Sequence, residues 1–291
     1  MRQVTASVIS NEKILGELER THAQTSRRPE ARNTLGSWLM WLRCPEIARE
    51  AKPGQFVMVG CGRECMLPRP FSIHRLNGNG DIAIFFAVWE DGTGTKWLSQ
   101  RQPSDKVEMF EKPLGISFNI KPKSDRLLLV AGGIGIAPLL FLADRALEEN
   151  HPVKLLRGAS GEFKPSRKPN PSQHYPDEYL PQGIEVRTIT TSRDGKTGMV
   201  LDLLTPEVTK WADQVFACGP TAMYRDMANR KKELGLNGKS VQISLEMRMG
   251  CGRGVCYSCT VRTKRGLKQV CQDGPVFELN DIIWDELNPK L

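Results

Sequence analysis

The stretch LLLVAGGIGIAP, residues 127–138, decides the fold of this chain. Its apolar start predicts a buried strand, its glycines predict a tight turn, and the apolar residues from Pro138 to Glu149 predict a helix. A glycine turn between a strand and a helix is typical of parallel α/β sheets that hold a pyrophosphate at the helix N-terminus. By itself the turn is a weak indication. The candidate nucleotide-binding residues in this turn are Gly132, Gly133, Gly135, Ala137 and Pro138.

Residues 123–241 continue the α/β pattern around this stretch. We expect strands at 126–131, 153–156, 184–188 and 214–217, and a further helix at 222–234. The turn Cys218-Gly219-Pro220 follows a strand at the carboxyl edge, where open α/β sheets bind ligands. We therefore predict that Gly219 and Pro220 contact a nucleotide and that Cys218 is catalytic. The alternative for Cys218 is a packed small residue, as free cysteines often are.

Residues 1–122 have a different pattern. Short β-rich runs at 4–10, 55–59 and 82–89 are separated by Gly, Pro and Asn turns, which predicts a small antiparallel barrel. Within it, Arg69 offers a fork of donors suited to a phosphate, and Ser72 offers a short hydroxyl. The segment Gly92–Thr95 precedes a helix, so it is either a second phosphate cradle or only a turn with a threonine cap.

Residues 242–291 are dominated by a cysteine loop. Cys251, Cys256 and Cys259 have the spacing C-x4-C-x2-C, and Cys271 follows later. Plant-type ferredoxins use this spacing, with a later fourth cysteine, to ligate a [2Fe-2S] cluster. A structural zinc site normally uses two C-x2-4-C pairs instead. The asymmetric spacing and the glycines at 250, 252 and 254 favour the iron–sulfur cluster over zinc.

The composition excludes few classes of protein. The 291 residues carry a formal net charge of +8, with 40% hydrophobic and 25% charged residues, as in soluble proteins of two or three domains. No basic and apolar leader opens the chain, and the apolar run 127–143 is too short and interrupted to span a membrane, so we expect a cytoplasmic protein. The basic residues are dispersed, and their densest cluster, Lys164–Lys168, indicates a solvated loop rather than a nucleic-acid groove.

Several motifs occur together in one order: PGQF, RPFSI, GTGT, GGIGIAP, ACGP, and EMRMGCGRGVCYSC followed by CQDGPVF. In this the chain resembles the ferredoxin-NADP reductase superfamily and, more narrowly, the electron-transfer subunits of NAD-dependent (type B) dihydroorotate dehydrogenases. The resemblance covers nearly the whole chain. It implies a multi-domain α/β plus β fold, with an FAD-binding antiparallel β-barrel at 1–122, a parallel α/β NAD-binding domain at 123–241 and a small C-terminal [2Fe-2S] lobe at 242–291.

The resemblance also implies roles for individual residues. Gly132–Pro138 and Cys218–Pro220 would frame the nicotinamide nucleotide, and the four cysteines of the loop would ligate the cluster. The FAD contacts implied in this way are Arg69, Pro70, Phe71, Ser72, Ala87, Val88, Trp89, Gly94 and Thr95.

The activity implied by the resemblance belongs to pyrimidine biosynthesis. An FMN-containing catalytic subunit would oxidise dihydroorotate to orotate, and this chain would pass the electrons through the cluster and FAD to NAD, in a heterotetramer of two subunits of each kind. The partner would dock at the cluster lobe, with Arg248 and Arg253 offering charge. Met249 and Tyr257 would either contact the partner or shield the sulfurs.

Two other hypotheses stay open at this point. A related subunit with the same fold could serve a sulfide dehydrogenase, a bifurcating transhydrogenase or a hydrogenase. A zinc-stabilised binding module without catalysis belongs to another class. The choice between NAD and NADP is also open, since Arg167 and Lys168 could meet a 2′-phosphate. The chain departs from the family pattern in extra residues near 16–37, in Lys112 where a glycine is expected, and in the polar segment 161–183. We expect surface loops at 19–32 and 161–183.

Overall fold

The computed structural model describes residues 3–16, 18–19, 34–160, 162–163, 175–191 and 198–287. Within these ranges it has the three predicted parts, an antiparallel barrel, a largely parallel α/β sheet and a small C-terminal lobe. The fold class expected from the sequence is therefore confirmed.

The barrel is a sheet that closes on itself. Its strands follow the order β1-β7-β4-β5-β6-β3, and a direct pairing of β3 with β1 completes the ring. Two short helices, α1 and α2, lie between its strands, and β2 extends the sheet beyond β3. The elements are β1 Gln3–Leu15, β2 Leu18–Glu19, β3 Thr34–Arg43, α1 Pro45–Glu50, β4 Phe56–Val59, β5 Arg69–Leu76, β6 Asp81–Trp89, α2 Thr93–Ser99 and β7 Lys106–Phe110.

The α/β domain forms around the glycine turn. Its sheet has the order β11-β9-β8-β12-β13-β16, and all neighbours are parallel except β13 and β16. The apolar face of α3 packs against barrel residues Leu39, Ala83 and Phe85 in one shared core, which joins the two domains. The elements are β8 Leu127–Gly132, α3 Ile136–Glu148, β9 Val153–Ser160, β10 Glu162–Phe163, β11 Glu185–Thr191, α4 Pro206–Trp211, β12 Gln214–Cys218, α5 Thr221–Asn229 and β13 Ser240–Ser244.

The C-terminal lobe lies against both other parts. It contains β14 Thr260–Thr263, β15 Gly266–Gln269, α6 Val270–Asp273 and β16 Val276–Glu278. Its β16 adds an edge strand to the α/β sheet, where Ser244 pairs with Val276. Towards the barrel, the amide of Ile116 donates to the Gly274 carbonyl oxygen at 2.5 Å. β13 runs unbroken from Ser240 to Ser244 and so spans residue 241, the predicted boundary between the α/β domain and the lobe.

The two segments expected to be surface loops lie largely outside the described residues, as do Lys164–Lys168. In the described stretch 175–183 of the second segment, Tyr175 departs from that expectation, whereas Asp177, Glu178, Gln182 and Gly183 are exposed. Tyr175 is only 3% exposed and contacts the rings of His74 and Phe85. The short β10 of this segment also pairs with β2 of the barrel. Tyr175 and β10 therefore contribute to the junction between domains. None of the described helices is long and apolar enough to cross a membrane.

The closest backbone approach in the α/β domain gives a test of the fold. A Cβ on Gly135 would lie 2.0 Å from the Cys218 carbonyl oxygen, an atom that cannot move without shifting β12. We expect Gly135→Ala to destabilise the protein by about 1–3 kcal/mol or more, the usual effect of overpacking a core. The matched control is Gly78→Ala, because nothing lies within 4 Å of its Cβ position. Urea unfolding of both variants measures the difference, and equal midpoints would contradict this packing.

Candidate functional site

Four cysteine thiols come together between the lobe and the barrel. Cys251, Cys256 and Cys259 lie on the irregular loop between β13 and β14, and Cys271 lies on α6. The loop bends tightly at Gly252 and Gly254, which have φ values of +64° and +72° that L-residues rarely adopt. The backbone therefore turns around the thiols, as the glycine spacing predicts.

The thiols are arranged as two pairs. Cys256 is within hydrogen-bonding reach of Cys251, and Cys271 is within reach of Cys259. Two backbone amides point at sulfur, Gly254 N–H at Cys271 Sγ (3.1 Å) and Arg253 N–H at Cys251 Sγ (3.3 Å). Among the described residues, no three His, Cys, Asp or Glu side chains converge as a site for one ion. Two thiol pairs with amide donors to sulfur fit a two-iron cluster, in which each iron takes two protein thiolates.

The two ends of this thiol set have different surroundings. Cys256 is exposed. Hydrogen bonds from Ser258, chiefly from its hydroxyl, and from Cys251 lower the pKa of the Cys256 thiol to about 6. Cys271 is buried, and burial raises the pKa of its thiol to about 12. Val255 and Tyr257 beside Cys256 are 70% and 66% exposed. One end of the set thus faces solvent while the other lies in the core.

The described barrel brings the candidate flavin residues to one edge. Arg69 begins β5 opposite Val59, and Ser72 lies opposite Phe56 on the same pair of strands. The Arg69 guanidinium donates to the Leu67 carbonyl oxygen at 2.8 Å, and its charge acts on the nearby Cys61 thiol. The remaining predicted contacts, residues 87–89, 94 and 95, lie at the end of β6 and in the first turn of α2.

Met58 connects this barrel edge to the cysteine loop. It pairs with Pro70 across β4 and β5 and is fully buried. On the other side it meets Gly252, whose Cβ, if present, would lie 2.7 Å from Met58 Cγ. The Arg253 guanidinium also stacks on the Phe110 ring at 4.5 Å. The cysteine loop therefore contacts β4 at the residue that pairs with Pro70 of the candidate flavin strand. No sequence pattern marks Met58 for this role, because it resembles any apolar strand residue.

The candidate nucleotide turns pack tightly against each other. A Cβ on Gly132 would lie 2.9 Å from Pro220 Cδ, so only glycine allows this approach. The Tyr224 hydroxyl accepts from the Gly219 amide (2.9 Å) and donates to the Ser244 carbonyl (2.7 Å). These contacts fix both turns at the carboxyl edge of the sheet, as predicted for Gly132–Pro138 and for Gly219-Pro220.

Cys218 does not face the cleft between these turns. It has no exposed surface, its Sγ lies 3.5 Å from the Ser244 carbonyl oxygen, and burial raises the pKa of its thiol. A neutral, enclosed thiol cannot touch a nucleotide in this conformation. The catalytic role predicted for Cys218 stays untested, and its position favours packing.

A buried histidine joins the barrel to the nucleotide turn. His74 Nδ1 lies 2.8 Å from the Ala137 carbonyl oxygen, and Nε2 lies 2.8 Å from the Tyr175 hydroxyl. Burial lowers the pKa of His74 to about 3, so the ring is neutral, Nδ1–H donates to Ala137 and Tyr175 donates to Nε2. Sequence reasoning missed this residue, although it directly follows the RPFSI motif. Tyr175 had no local signal at all.

Proteins of one family match this chain over most of its length. The sequence profile of the iron–sulfur cluster binding domain of dihydroorotate dehydrogenase B matches residues 246–283. The electron transfer subunit of dihydroorotate dehydrogenase B (NAD(+)) from Desulforamulus reducens is 33% identical over 262 residues, 86% of this chain and 93% of that subunit. The subunit of the same name from Clostridium perfringens is 35% identical over 234 residues, 79% of this chain and 87% of that subunit.

Solved structures share the fold. A chain from the structure of NADH-dependent reduced ferredoxin-NADP oxidoreductase superposes with a TM-score of 0.74 at 24% identity, covering 97% of this chain and 91% of that one. The ferredoxin NADP+ reductase from Neisseria gonorrhoeae, solved with bound FAD and NADP, superposes with a TM-score of 0.57 at 16% identity. The match covers 81% of this chain and 92% of that one. The likeness to both establishes the common arrangement of barrel and α/β domain.

The thiol geometry gives the second test. Replacing any one of Cys251, Cys256, Cys259 and Cys271 by Ser should abolish or severely perturb a [2Fe-2S] cluster, because each would remove one of the two thiolates of one iron. Cys44→Ser is the control, since Cys44 is buried in the barrel core. Visible absorption and analysis for two irons and two sulfides per chain measure the effect. One equivalent of zinc in protein purified anaerobically would refute the assignment.

Proposed function

The chain belongs to the family of electron-transfer subunits of NAD-dependent dihydroorotate dehydrogenase B, and on that premise we propose how its residues serve electron transfer. The subunit passes electrons between a catalytic flavoprotein and NAD. Its cofactors are one [2Fe-2S] cluster and FAD, with NAD(H) as co-substrate. The contact of Gly252 with Met58 carries the proposal most directly, because it sets the cysteine loop directly against the strand pair that bears Arg69 and Ser72.

The described residues fit both cofactors. Cys251, Cys256, Cys259 and Cys271 offer four thiolates in two pairs, and the amides of Arg253 and Gly254 stabilise sulfur charge. When bound, the flavin exchanges a hydride with NAD and single electrons with the cluster, so the hard chemistry belongs to the cofactors. The chain's own residues bind and orient these groups.

At the flavin site we assign Arg69 to the FAD pyrophosphate and Ser72 to a position beside the isoalloxazine. Arg69 offers a planar fork of donors at the start of β5, which suits a phosphate. Pro70, Phe71, Ala87, Val88, Trp89, Gly94 and Thr95 complete this proposed site.

Gly132–Pro138 and Gly219-Pro220 form the proposed binding site for NAD. Their close packing holds the amides of the α3 N-terminus at the carboxyl edge, where they can meet a pyrophosphate. We assign Cys218 a structural role: its contact with the Ser244 carbonyl oxygen holds the turn at Gly219 in place, and the thiol takes no part in the reaction. His74 holds Ala137, and thereby α3, against the flavin strand.

The oxidation of dihydroorotate to orotate belongs to the proposed partner, an FMN-containing subunit in a heterotetramer with two copies of each chain. The partner would approach the exposed side of the cysteine loop, where Cys256, Val255 and Tyr257 face solvent. Tyr257 suits contact rather than shielding, because it is 66% exposed. Met249 instead packs against the core.

The third test concerns FAD. Removing the Arg69 guanidinium should weaken FAD binding by on the order of 1.5–3 kcal/mol, the value of charge-assisted hydrogen bonds. This corresponds to a roughly ten- to hundredfold loss of affinity. Flavin fluorescence after dilution measures it in Arg69→Ala, with Arg69→Lys expected to lose less because it keeps the charge but not the fork. Arg49→Ala, on the exposed face of α1, is the control. Unchanged FAD occupancy in Arg69→Ala would count against the assignment.

The fourth test concerns the partner. Alone, the chain should oxidise NADH with an artificial acceptor but leave dihydroorotate unchanged. Coexpressed with a dihydroorotate-oxidising flavoprotein, it should form a complex that reduces NAD with dihydroorotate. A chain that forms neither complex nor activity would refute this partner and leave a sulfide dehydrogenase, transhydrogenase or hydrogenase partner as the alternative.

A charge reversal in the complex locates the docking surface. Arg253→Glu should slow association and change its salt dependence, because charges at an interface mainly affect the association rate. Arg265→Glu, at another exposed arginine, on the hairpin turn between β14 and β15, is the matched control. If both variants associate like the parent protein, the partner docks elsewhere.

A further inference from the structure

Two cysteines outside the cluster loop lie close together in the barrel. Cys61 and Cys65 occupy the connection between β4 and β5, where the Cys65 amide donates to the Gly62 carbonyl oxygen at 3.2 Å and closes a tight turn. Cys61 is 1% exposed and Cys65 is 9% exposed. Neither has a role in the electron-transfer function proposed above.

The sulfur atoms of this pair share one neighbour. The position of a Cβ on Gly94 would lie 3.4 Å from Cys61 Sγ and 3.3 Å from Cys65 Sγ. With distances of 3.4 Å and 3.3 Å from one point, the two sulfurs are at most 6.7 Å apart, and rotation about the Cα–Cβ bonds of both cysteines is the movement that would join them. A disulfide requires an S–S distance of about 2.05 Å and Cβ atoms about 3.5–4.5 Å apart. Because residue 94 is a glycine, the space in which the sulfurs would meet holds no side chain.

No third ligand completes a metal site here. Among the described residues, no group of three His, Cys, Asp or Glu side chains surrounds a common position, so this pair lacks the coordination that structural zinc requires. The pair is therefore a dithiol, whose characteristic chemistry is exchange with disulfides.

Only one of the two thiols can be approached from solvent. Cys65 lines an open cavity of about 460 Å³ together with Arg63 and Lys106, whereas Cys61 does not line it. Burial raises the pKa of the Cys61 thiol to about 12, which suits a group that reacts second and within the protein. A reagent entering this cavity meets Cys65 first.

We propose that Cys61 and Cys65 form a reversible disulfide with a low-molecular-weight disulfide as oxidant, and that this bond lowers the affinity for FAD. The Cys65 thiolate attacks one sulfur of the small disulfide and releases one thiol. The Cys61 thiol then loses its proton and attacks the Cys65 sulfur, which displaces the second thiol. The two electrons of the dithiol pass to the small disulfide, which becomes two thiols.

The effect on FAD follows from the contacts of the turn. Gly62 packs on Trp97, where a Cβ would lie 2.6 Å from Trp97 Nε1, and Gly94 contacts both sulfurs. Trp97 and Gly94 belong to α2, whose first turn forms part of the proposed FAD site. Closing the S–S bond shifts the turn and thereby α2. This step rests on the proposed flavin function, whereas formation of the disulfide does not.

The test uses the full chain with its cofactors, incubated anaerobically in mixtures of oxidised and reduced glutathione. Peptide mapping by mass spectrometry should find a Cys61–Cys65 link that reduced glutathione removes. Flavin fluorescence after dilution should show roughly two- to tenfold weaker FAD binding in the oxidised protein, the effect of displacing one or two side chains from their rotamers. Cluster absorption is followed in parallel, so that loss of the cluster is not mistaken for this effect.

Variants separate the outcomes. Cys61→Ala and Cys65→Ala should bind FAD equally in both glutathione mixtures, while Cys44→Ser should behave like the parent protein, since Cys44 lies elsewhere in the barrel core. Absence of the link in the parent protein would overturn the proposal without any variant. A link that leaves FAD binding unchanged would overturn the control of FAD. If the reduced protein binds no FAD at all, the proposed function fails, and mapping still decides whether the disulfide forms.

Discussion

The contact between Gly252 and Met58 is the constraint on which the arrangement of the site depends. Met58 is buried in β4, and its pairing with Pro70 fixes its backbone next to the strand that carries Arg69 and Ser72. Gly252 approaches it closely with a left-handed backbone, φ +64°, that glycine adopts at little cost. Any side chain at residue 252 would push the cysteine loop away from the barrel.

The lobe is held in this position from two sides. Its β16 completes the edge of the α/β sheet, while the backbone at Gly274 bonds to Ile116 of the barrel segment. The two larger domains are joined to each other by His74, whose ring contacts Ala137 and Tyr175, and by Arg75, which forms a double hydrogen bond with Asp144 at 2.7 Å. Cysteine loop, barrel edge and nucleotide turns thus keep fixed relative positions, which electron transfer between separate cofactors needs.

The sequence predicted the features that are local. Strand, turn and helix around residues 127–138 follow from hydrophobic pattern and glycine positions, and the cysteine spacing indicates a cluster because ligand spacing is itself a sequence property. The pairing of β13 with β16, the junction role of Tyr175 and the bridge formed by Met58 depend on residues far apart in the chain. No periodicity or motif marks them. Cys218 shows the opposite case, since a motif suggested chemistry and the burial of the thiol favours packing.

The cysteine loop lies between the barrel and the solvent, so its residues have two different environments. Gly252 faces the barrel at Met58, whereas Arg253, Val255 and Tyr257 are exposed. The thiols of Cys251 and Cys256 belong to the segment between these faces. A partner that covers Val255 and Tyr257 would therefore be separated from the flavin strand by little more than the loop itself. The same short C-x4-C segment that offers two of the proposed cluster ligands also carries the exposed residues and the barrel contact, which explains why residue 252, where the loop packs on Met58, is a glycine.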